Sequence, residues 1–192
     1  MLVNCSKIKT STEDESHDSR FGTHTAKRVF RSDEDIRKNI ESTIGQLNQN
    51  EDIHFYSYGN FNLVKLVLHI IEHIGSSHLT MCSYSFSKHS IERLQHNIDT
   101  GSILSFKLLI DNRVKTMSPK PFDMIMRMFE YKCTSLHAKV ALIWNDNWHI
   151  SIVTSQNATD NPKLERGTIF TSKEVFDFDY KILSNEFNRG TT

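Results

Sequence analysis

The stretch "SLHAKVALIWNDNWHISIVTSQNATDNPKLERGTIF", residues 135–170, decides the fold and the function together. It places a His and a Lys two apart, then a Ser and an Asn two apart, then a single Glu. "ALIW" and "WHISIV" flank "NDN", and Asn and Asp tolerate turn conformations and bond to the local backbone. A three-residue loop Asn145–Asn147 would pair Trp144 with Trp148 and Ile143 with His149. Continued down the ladder, that register sets His137 opposite Ser155 and Lys139 opposite Val153. Directly opposed side chains lie about 5 Å apart at Cβ.

Strand side chains alternate between faces. On this register Leu136, Ala138, Val140, Leu142, Trp144, Trp148, Ile150 and Ile152 form an apolar face. His137, Lys139, His149, Ser151, Ser155 and Asn157 form the polar one. Two readings compete. Any half-buried antiparallel pair has a wet side, and this is the plainer reading. The other has an imidazole, an ammonium, a hydroxyl and a carboxamide converging on a phosphate. Lys would supply charge, and Ser and Asn neutral donors to the non-bridging oxygens. A His can attack phosphorus or pass a proton near neutral pH.

The surrounding sequence bounds the choice. The chain has 192 residues, 38% hydrophobic and 24% charged, enough for one domain with a sizeable core. Its formal charge is zero, which argues against coating nucleic acid through bulk charge. Cys5, Cys82 and Cys133 form no CxxC pair, which suits a reducing compartment. The N-terminus has no long apolar core, and "FNLVKLVLHIIEHIG" is too short and too polar to span a bilayer. A cytoplasmic protein without a membrane span is expected.

Residues 1–28 are polar and aperiodic and read as a flexible arm. "RSDEDIRKNIESTIGQLNQN" reads as a helix capped by Ser32. "DIHFYSYG" reads as a strand, residues 61–74 as a helix ending at Gly75, and "HLTMCSYSF" as a strand. "SKHSIERLQHNIDTG" is a helix stopped by Gly101, "ILSFKLLID" a strand, and "KPFDMIMRMFEY" a helix opened by Pro121. "GTIFTS" and "KEVFDFDYKILSNEF" follow the hairpin as strand and closing helix. The alternation predicts an α/β fold with a mixed β-sheet flanked by helices.

"HAK", "TSQN" and "NPKLERG" together resemble the single-copy motif of the phospholipase D superfamily, an HxK, a later Asp, then GSxN with a Glu behind it. The resemblance covers residues 135–170. It implies a phospholipase D-like domain over residues 29–192 and a metal-independent phosphodiesterase, most simply a nuclease, acting through a phosphohistidine. His137 would be the nucleophile or its acid/base twin. Lys139 and Asn157 would bind phosphate with help from Ser155, and Glu165 would orient a His. One motif per chain implies a homodimer with the His137 side chains facing each other across a two-fold axis. No cofactor or metal is implied. The substrate would be nucleic acid, DNA among the candidates, or another phosphodiester. Two positions depart from the pattern: Trp144 stands where the Asp falls, and Thr154 stands where the Gly falls. A member that binds nucleic acid or a protein partner without cutting is the alternative.

Other features carry plainer readings. "HIIEH" at His69, Glu72 and His73 fits a zinc-peptidase pattern, yet with Lys65 it forms the polar stripe of an amphipathic helix. Met117, Met124, Met126 and Met128 read as core filler. Phe55, Tyr56 and Tyr58 read as strand packing rather than a base-stacking platform.

Overall fold

A computed structural model describes residues 26–30 and 39–192. Fourteen elements appear among them. The strands are β1 (Lys27–Phe30), β2 (Glu51–Ser57), β3 (Ser77–Ser83), β4 (Ile103–Asp111), β5 (Glu130–Thr134), β6 (Val140–Trp144), β7 (His149–Thr154) and β8 (Glu165–Phe170). The helices are α1 (Ile40–Ile44), α2 (Leu63–Ile74), α3 (Lys88–Asp99), α4 (Val114–Met117), α5 (Pro119–Met128) and α6 (Lys173–Arg189).

The strands form one mixed sheet in the order β1-β2-β8-β7-β6-β3-β4-β5. β3, β4 and β5 run parallel, so their carboxyl ends finish on one edge. β6, β7 and β8 run antiparallel to their neighbours in the centre. The main core lies between the sheet and α1, α2, α3 and α5, with Ile53, Phe55, Met81, Ala141, Ile143, Ile150, Ile152 and Ile169 from the strands. A second cluster on the opposite face joins Cys82, Leu109 and Leu142 to Phe176, Leu183 and Phe187 of α6.

The hairpin differs from its expected register by one residue. Trp144 pairs with His149 and Val140 with Val153. The turn therefore takes in Trp148. Asn145 N–H donates to the Trp148 carbonyl at 3.0 Å. Asn145 Oδ1 accepts from the N–H groups of Asn147 and Trp148 at 3.0 and 2.9 Å. One Asn side chain thus caps a longer loop than the composition suggested.

That slip turns β6 over relative to β7, while the grouping along each strand is kept. Odd positions of β6 join even positions of β7, and Ala141, Ile143, Ile150 and Ile152 fill the main core. The other face, with Leu142, Trp144, His149 and Ser151, lies under α6. Trp144 packs on Phe176 and Tyr180, and His149 meets Phe176 edge-on at 5.1 Å. The hairpin has no continuous wet side: it sits centrally, with the main core on one face and α6 on the other, and Val153 alone of its strand residues is exposed. His137 and Lys139 do not lie in a strand. They occupy the loop of residues 135–139 that leads into β6.

Smaller differences have local causes. Asn39 caps α1, accepting from Ser42 N–H at 2.8 Å, while Ser32 falls outside the described residues. The arm expected over residues 1–28 lies mostly outside them too, but Lys27 and Arg28 belong to β1, paired in parallel with β2. "EYKCT" supplies β5, so the helix expected to run on through Tyr131 stops at Met128. Of the four methionines only Met124 packs on the main core, and Met117, Met126 and Met128 are exposed. Tyr56 and Tyr58 are also exposed, and Phe55 alone of its set is buried. Among the described residues, no helix is long and apolar enough to cross a membrane.

Candidate functional site

The five residues singled out in the sequence gather at one end of the sheet, where β3, β4 and β5 finish. His137 and Lys139 lie on the β5–β6 connection, Ser155 and Asn157 follow β7, and Glu165 opens β8. This is the edge at which open α/β sheets generally take ligands.

His137 is exposed, and its ring meets Tyr84 at 5.8 Å. Lys139 Nζ lies 2.8 Å from His137 Nδ1 and donates to the His137 carbonyl at 2.9 Å. An ammonium only donates, so Nδ1 accepts and the neutral ring carries its proton on Nε2. Burial draws the Lys139 ammonium below its ordinary range, and the Glu165 carboxylate opposes that shift. Lys139 and Glu165 are therefore electrostatic neighbours across the site.

The second half is a braced loop. Ser155 Oγ donates to Glu165 Oε2 in a short contact. Asn161 Nδ2 donates to Glu165 Oε1 at 2.6 Å. Arg166 N–H donates to Ser155 Oγ at 3.0 Å, and Ser155 N–H to the Arg166 carbonyl at 2.9 Å. Asn157 Oδ1 accepts from Ser83 Oγ at 3.4 Å. That contact engages the oxygen and leaves the two amide hydrogens to point at an incoming oxygen. Between them Gln156 turns inward, 2% exposed, and its amide holds the Phe61 carbonyl at 2.8 Å. Alternation thus sends Ser155 and Asn157 out and anchors the loop through Gln156. Gly59, at φ +83°, lets residues 161 and 162 approach: a Cβ there would stand 2.7 Å from the Asn161 carbonyl oxygen. Only glycine combines that conformation with that clearance.

Glu165 makes no hydrogen bond to His137 within the chain; its partners are Ser155 and Asn161. Neither departure from the motif presents its side chain to the reacting groups, although Thr154 N–H donates to the Lys139 carbonyl at 3.1 Å. Trp144 is at the opposite end of β6. Thr154 is 9% exposed, and its hydroxyl donates to the Arg166 carbonyl at 3.0 Å. The small residue is instead Gly167, directly opposite Thr154 on β8.

Sequence reasoning missed Asp111. This carboxylate ends β4, is 2% exposed, and accepts Leu136 N–H at 3.2 Å, so it holds the segment carrying His137. It also accepts Arg113 N–H at 2.9 Å and Arg113 Nε at 2.7 Å. The Arg113 guanidinium lies 4.8 Å over the Tyr84 ring that borders His137. The signal was an acid closing the apolar run "KLLID", since buried carboxylates are rare unless partnered. Hydrogen bonding to Arg113 holds Asp111 below the usual carboxylate range, against the opposing effect of burial. A depressed folded-state value gives stability that is full above the ordinary Asp pKa of about 4 and lost as pH falls through the folded value. Asp111→Asn is expected to lower stability at pH 7 by about 1–3 kcal/mol. It should also flatten the loss of stability between pH 5 and the acid range. Denaturant titrations across that range check both, and an unchanged acid slope would remove Asp111 from this role.

The zinc pattern does not assemble. The rings of His69 and His73 lie 4.3 Å apart, and His73 Nδ1 is engaged by the His69 carbonyl at 2.7 Å. Among the described residues no three His, Cys, Asp or Glu side chains are placed to hold a metal. Cys82 and Cys133 are free and buried, and burial pushes the Cys82 thiol up to about 12.

No family model matches the chain, and no curated protein does. Solved structures do resemble it. Polyphosphate kinase from Porphyromonas gingivalis shares 12% identity at a TM-score of 0.56, over 73% of this chain and 26% of the kinase. NucT from Helicobacter pylori shares 16% identity at a TM-score of 0.52, over 73% of this chain and 98% of NucT. The chain thus spans about a quarter of the first and nearly all of the second. At these identities the likeness is one of fold.

Proposed function

We propose that this chain, whose fold is phospholipase D-like, is a phosphodiesterase, with nucleic acid its foremost substrate class, whose complete site is shared by two subunits. The observation that carries the reading is the gathering of His137, Lys139, Asn157, Ser155 and Glu165 on one open edge. They come from the β5–β6 connection, the β7–β8 connection and the first residue of β8, and the side chains of the motif residues that differ are turned away from it. The fold match to NucT extends over 98% of that chain, so this fold occurs there in a similarly small protein, which supports the reading of a small stand-alone domain.

In this reading the phosphate is bound by the Lys139 ammonium, the Asn157 amide and Ser155. His137 attacks through Nε2, which requires the ring proton on Nδ1. The resting contact from Lys139 to Nδ1 favours the other tautomer. Phosphate binding draws Lys139 onto a non-bridging oxygen and releases Nδ1 for a carboxylate acceptor. Glu165, not engaged by its own His137, is the acceptor for the ring of the other subunit. Attack forms the N–P bond as the P–O bond to the leaving group breaks. The His137 of the partner subunit gives its proton to the leaving oxygen. It then takes a proton from water, which attacks phosphorus and breaks the N–P bond. The products are a phosphomonoester and an alcohol. No step requires a metal.

The test is turnover in excess chelator. Purified protein should cleave bis-(p-nitrophenyl) phosphate and single- or double-stranded DNA in EDTA. An acid quench should destroy, and an alkaline quench preserve, a phospho-adduct on His137. A protein inert toward all three substrates, with no adduct, overturns the proposal and leaves the binding reading.

A further inference from the structure

α6 crosses its face of the sheet on a diagonal. Its first turns lie over β6 and β7, where Phe176 meets Trp144 and His149, and Asp179 accepts from Ser151. Its last turn lies over β5, where Glu186 accepts from Thr134 and Thr191 pairs with Cys133. β3 and β4 stand between β6 and β5. The helix packs on them at the level of Cys82 and Leu109. Over their amino-terminal halves helix and sheet diverge, and a wedge of about 390 Å³ remains between them.

The floor of the wedge is Thr80 of β3 and Lys107 of β4, directly paired in the sheet, with Trp144 next to them on β6. The wall is one face of α6, on which Tyr180, Leu183, Ser184 and Phe187 recur at helix spacing. Phe176, one turn before Tyr180, stacks on its ring at 5.6 Å and fills that side. Ser184 stands one turn after Tyr180, and its small side chain leaves the other side open.

The polar groups here are donors without acceptors. Thr80 is 5% exposed, and its hydroxyl has no hydrogen-bond partner among the described residues. Buried polar groups are nearly always paired, so this one calls for an acceptor from outside the chain. The Trp144 indole N–H and the Tyr180 and Ser184 hydroxyls also make no hydrogen bond among the described residues. Lys107 Nζ stands 5.3 Å over the Phe187 ring, and its neighbour Glu130 on β5 forms no ion pair with it. Among the described residues the lining carries that one charge and no carboxylate.

We propose that the wedge binds a small planar anion, an aromatic ring joined to a phosphate or carboxylate, with the ring against Tyr180 and Trp144 and the anionic group on Lys107. Aromatic walls favour a flat ring in offset or edge-on contact. A lone ammonium over an aromatic face, with no carboxylate to neutralise it, selects an anion. The volume is that of a small-molecule site, which begins at about 300 Å³. Trp144 lies five residues along β6 from Lys139, about 17 Å at strand rise. The wedge is therefore separate from the edge that carries His137, and its ligand does not depend on the chemistry proposed there.

Nucleoside monophosphates and aromatic carboxylates share this chemistry, and isothermal titration calorimetry on the full chain distinguishes them. The probes are adenosine 5′-monophosphate and indole-3-acetate, each compared with its separate halves: adenosine and inorganic phosphate, indole and acetate. One joined probe should bind about tenfold or more tightly than either of its halves, and which one it is names the source. Lys107→Met keeps the stem over Phe187 and should weaken that probe about tenfold. Thr80→Val removes only the hydroxyl and should weaken it about threefold. Ser184→Leu fills the wedge and should abolish binding, while Lys139→Met should leave it unchanged. Melting curves show which variants fold. If Ser184→Leu does not, Lys107→Met carries the test, because that side chain is exposed. The proposal is overturned if neither joined probe binds more tightly than its halves. It is equally overturned if binding survives Ser184→Leu in a chain that melts like wild type, or falls with Lys139→Met and not with Lys107→Met.

Discussion

His137→Ala is expected to reduce phosphodiester cleavage by about 10⁴-fold or more, while leaving the melting temperature within a degree or two of wild type. The rate term is large because the same side chain acts twice in the proposed dimer, once as nucleophile and once as the acid that serves its mate. Groups that work as one unit lose nearly the full effect when any one goes. The stability term is small because the ring is exposed and its contacts are the Lys139 ammonium and the Tyr84 ring. Surface changes away from buried networks cost little. Mixing gives a sharper measurement. If wild-type and variant chains are unfolded together and refolded at equal concentration, about a quarter of the dimers carry two intact imidazoles. Activity should then fall to that fraction of an all-wild-type sample and follow the square of the wild-type share. A linear dependence would mean that each chain works alone, and the shared site would be lost.

The sequence carried the fold class because the central strands and long helices are strongly patterned. "ILSFKLLID" and "FNLVKLVLHIIEHI" have apolar positions at strand and helix spacing, and both became the elements they suggested, β4 and α2. The two strands it missed, β1 and β5, are the two edges of the sheet. An edge strand pairs on one side only and is half solvated, so "KRVF" and "EYKCT" have no need of a continuous apolar run. The hairpin shows a different limit. Its strands were placed correctly and its register was not, because a single Asn side chain extended the turn by one residue. A one-residue slip turns one strand over relative to the other, so His149 and Ser151 of the expected polar face join Leu142 and Trp144 of the expected apolar face beneath α6. The site survived that error because its members lie beyond the paired strands. His137 precedes β6 and Asn157 follows β7, so what gathers them is the shared edge and not a cross-strand ladder. Asp111 stayed hidden because Leu136 N–H meets it only when β4 and the β5–β6 connection fold side by side, and Arg113, two residues on, is a local partner that marks no site by itself.

Gly167→Ala should be the most destabilising small change near the site, at about 3 kcal/mol, or a fall of roughly 10 °C in melting temperature for a chain of this size. A Cβ at that position would stand 2.3 Å from Phe55 Cζ, 2.7 Å from Phe55 Cε1 and 3.0 Å from Thr154 Oγ1. Phe55 is 1% exposed and lies against Phe61 with ring centroids 5.8 Å apart, so it has no free space to retreat into. Relief must come from β8 moving away from β2 and β7. Arg166, next in the chain, is the residue whose main chain holds both Ser155 and the Thr154 hydroxyl. The same substitution should therefore weaken phosphate binding, raising KM as well as lowering stability. The argument also accounts for Thr154. The motif places its small residue on the strand before Ser, whereas here the small residue is across the ladder, and the pair Thr154–Gly167 fills the volume of one side chain between two strands. Phe55→Leu should restore part of the lost stability in the Gly167→Ala background while destabilising the wild-type chain. That opposite sign is the mark of direct contact in a double-mutant cycle. If Gly167→Ala melts with wild type, or if the two changes simply add, the close packing of Phe55 on β8 is not what sets the Ser155 loop in place.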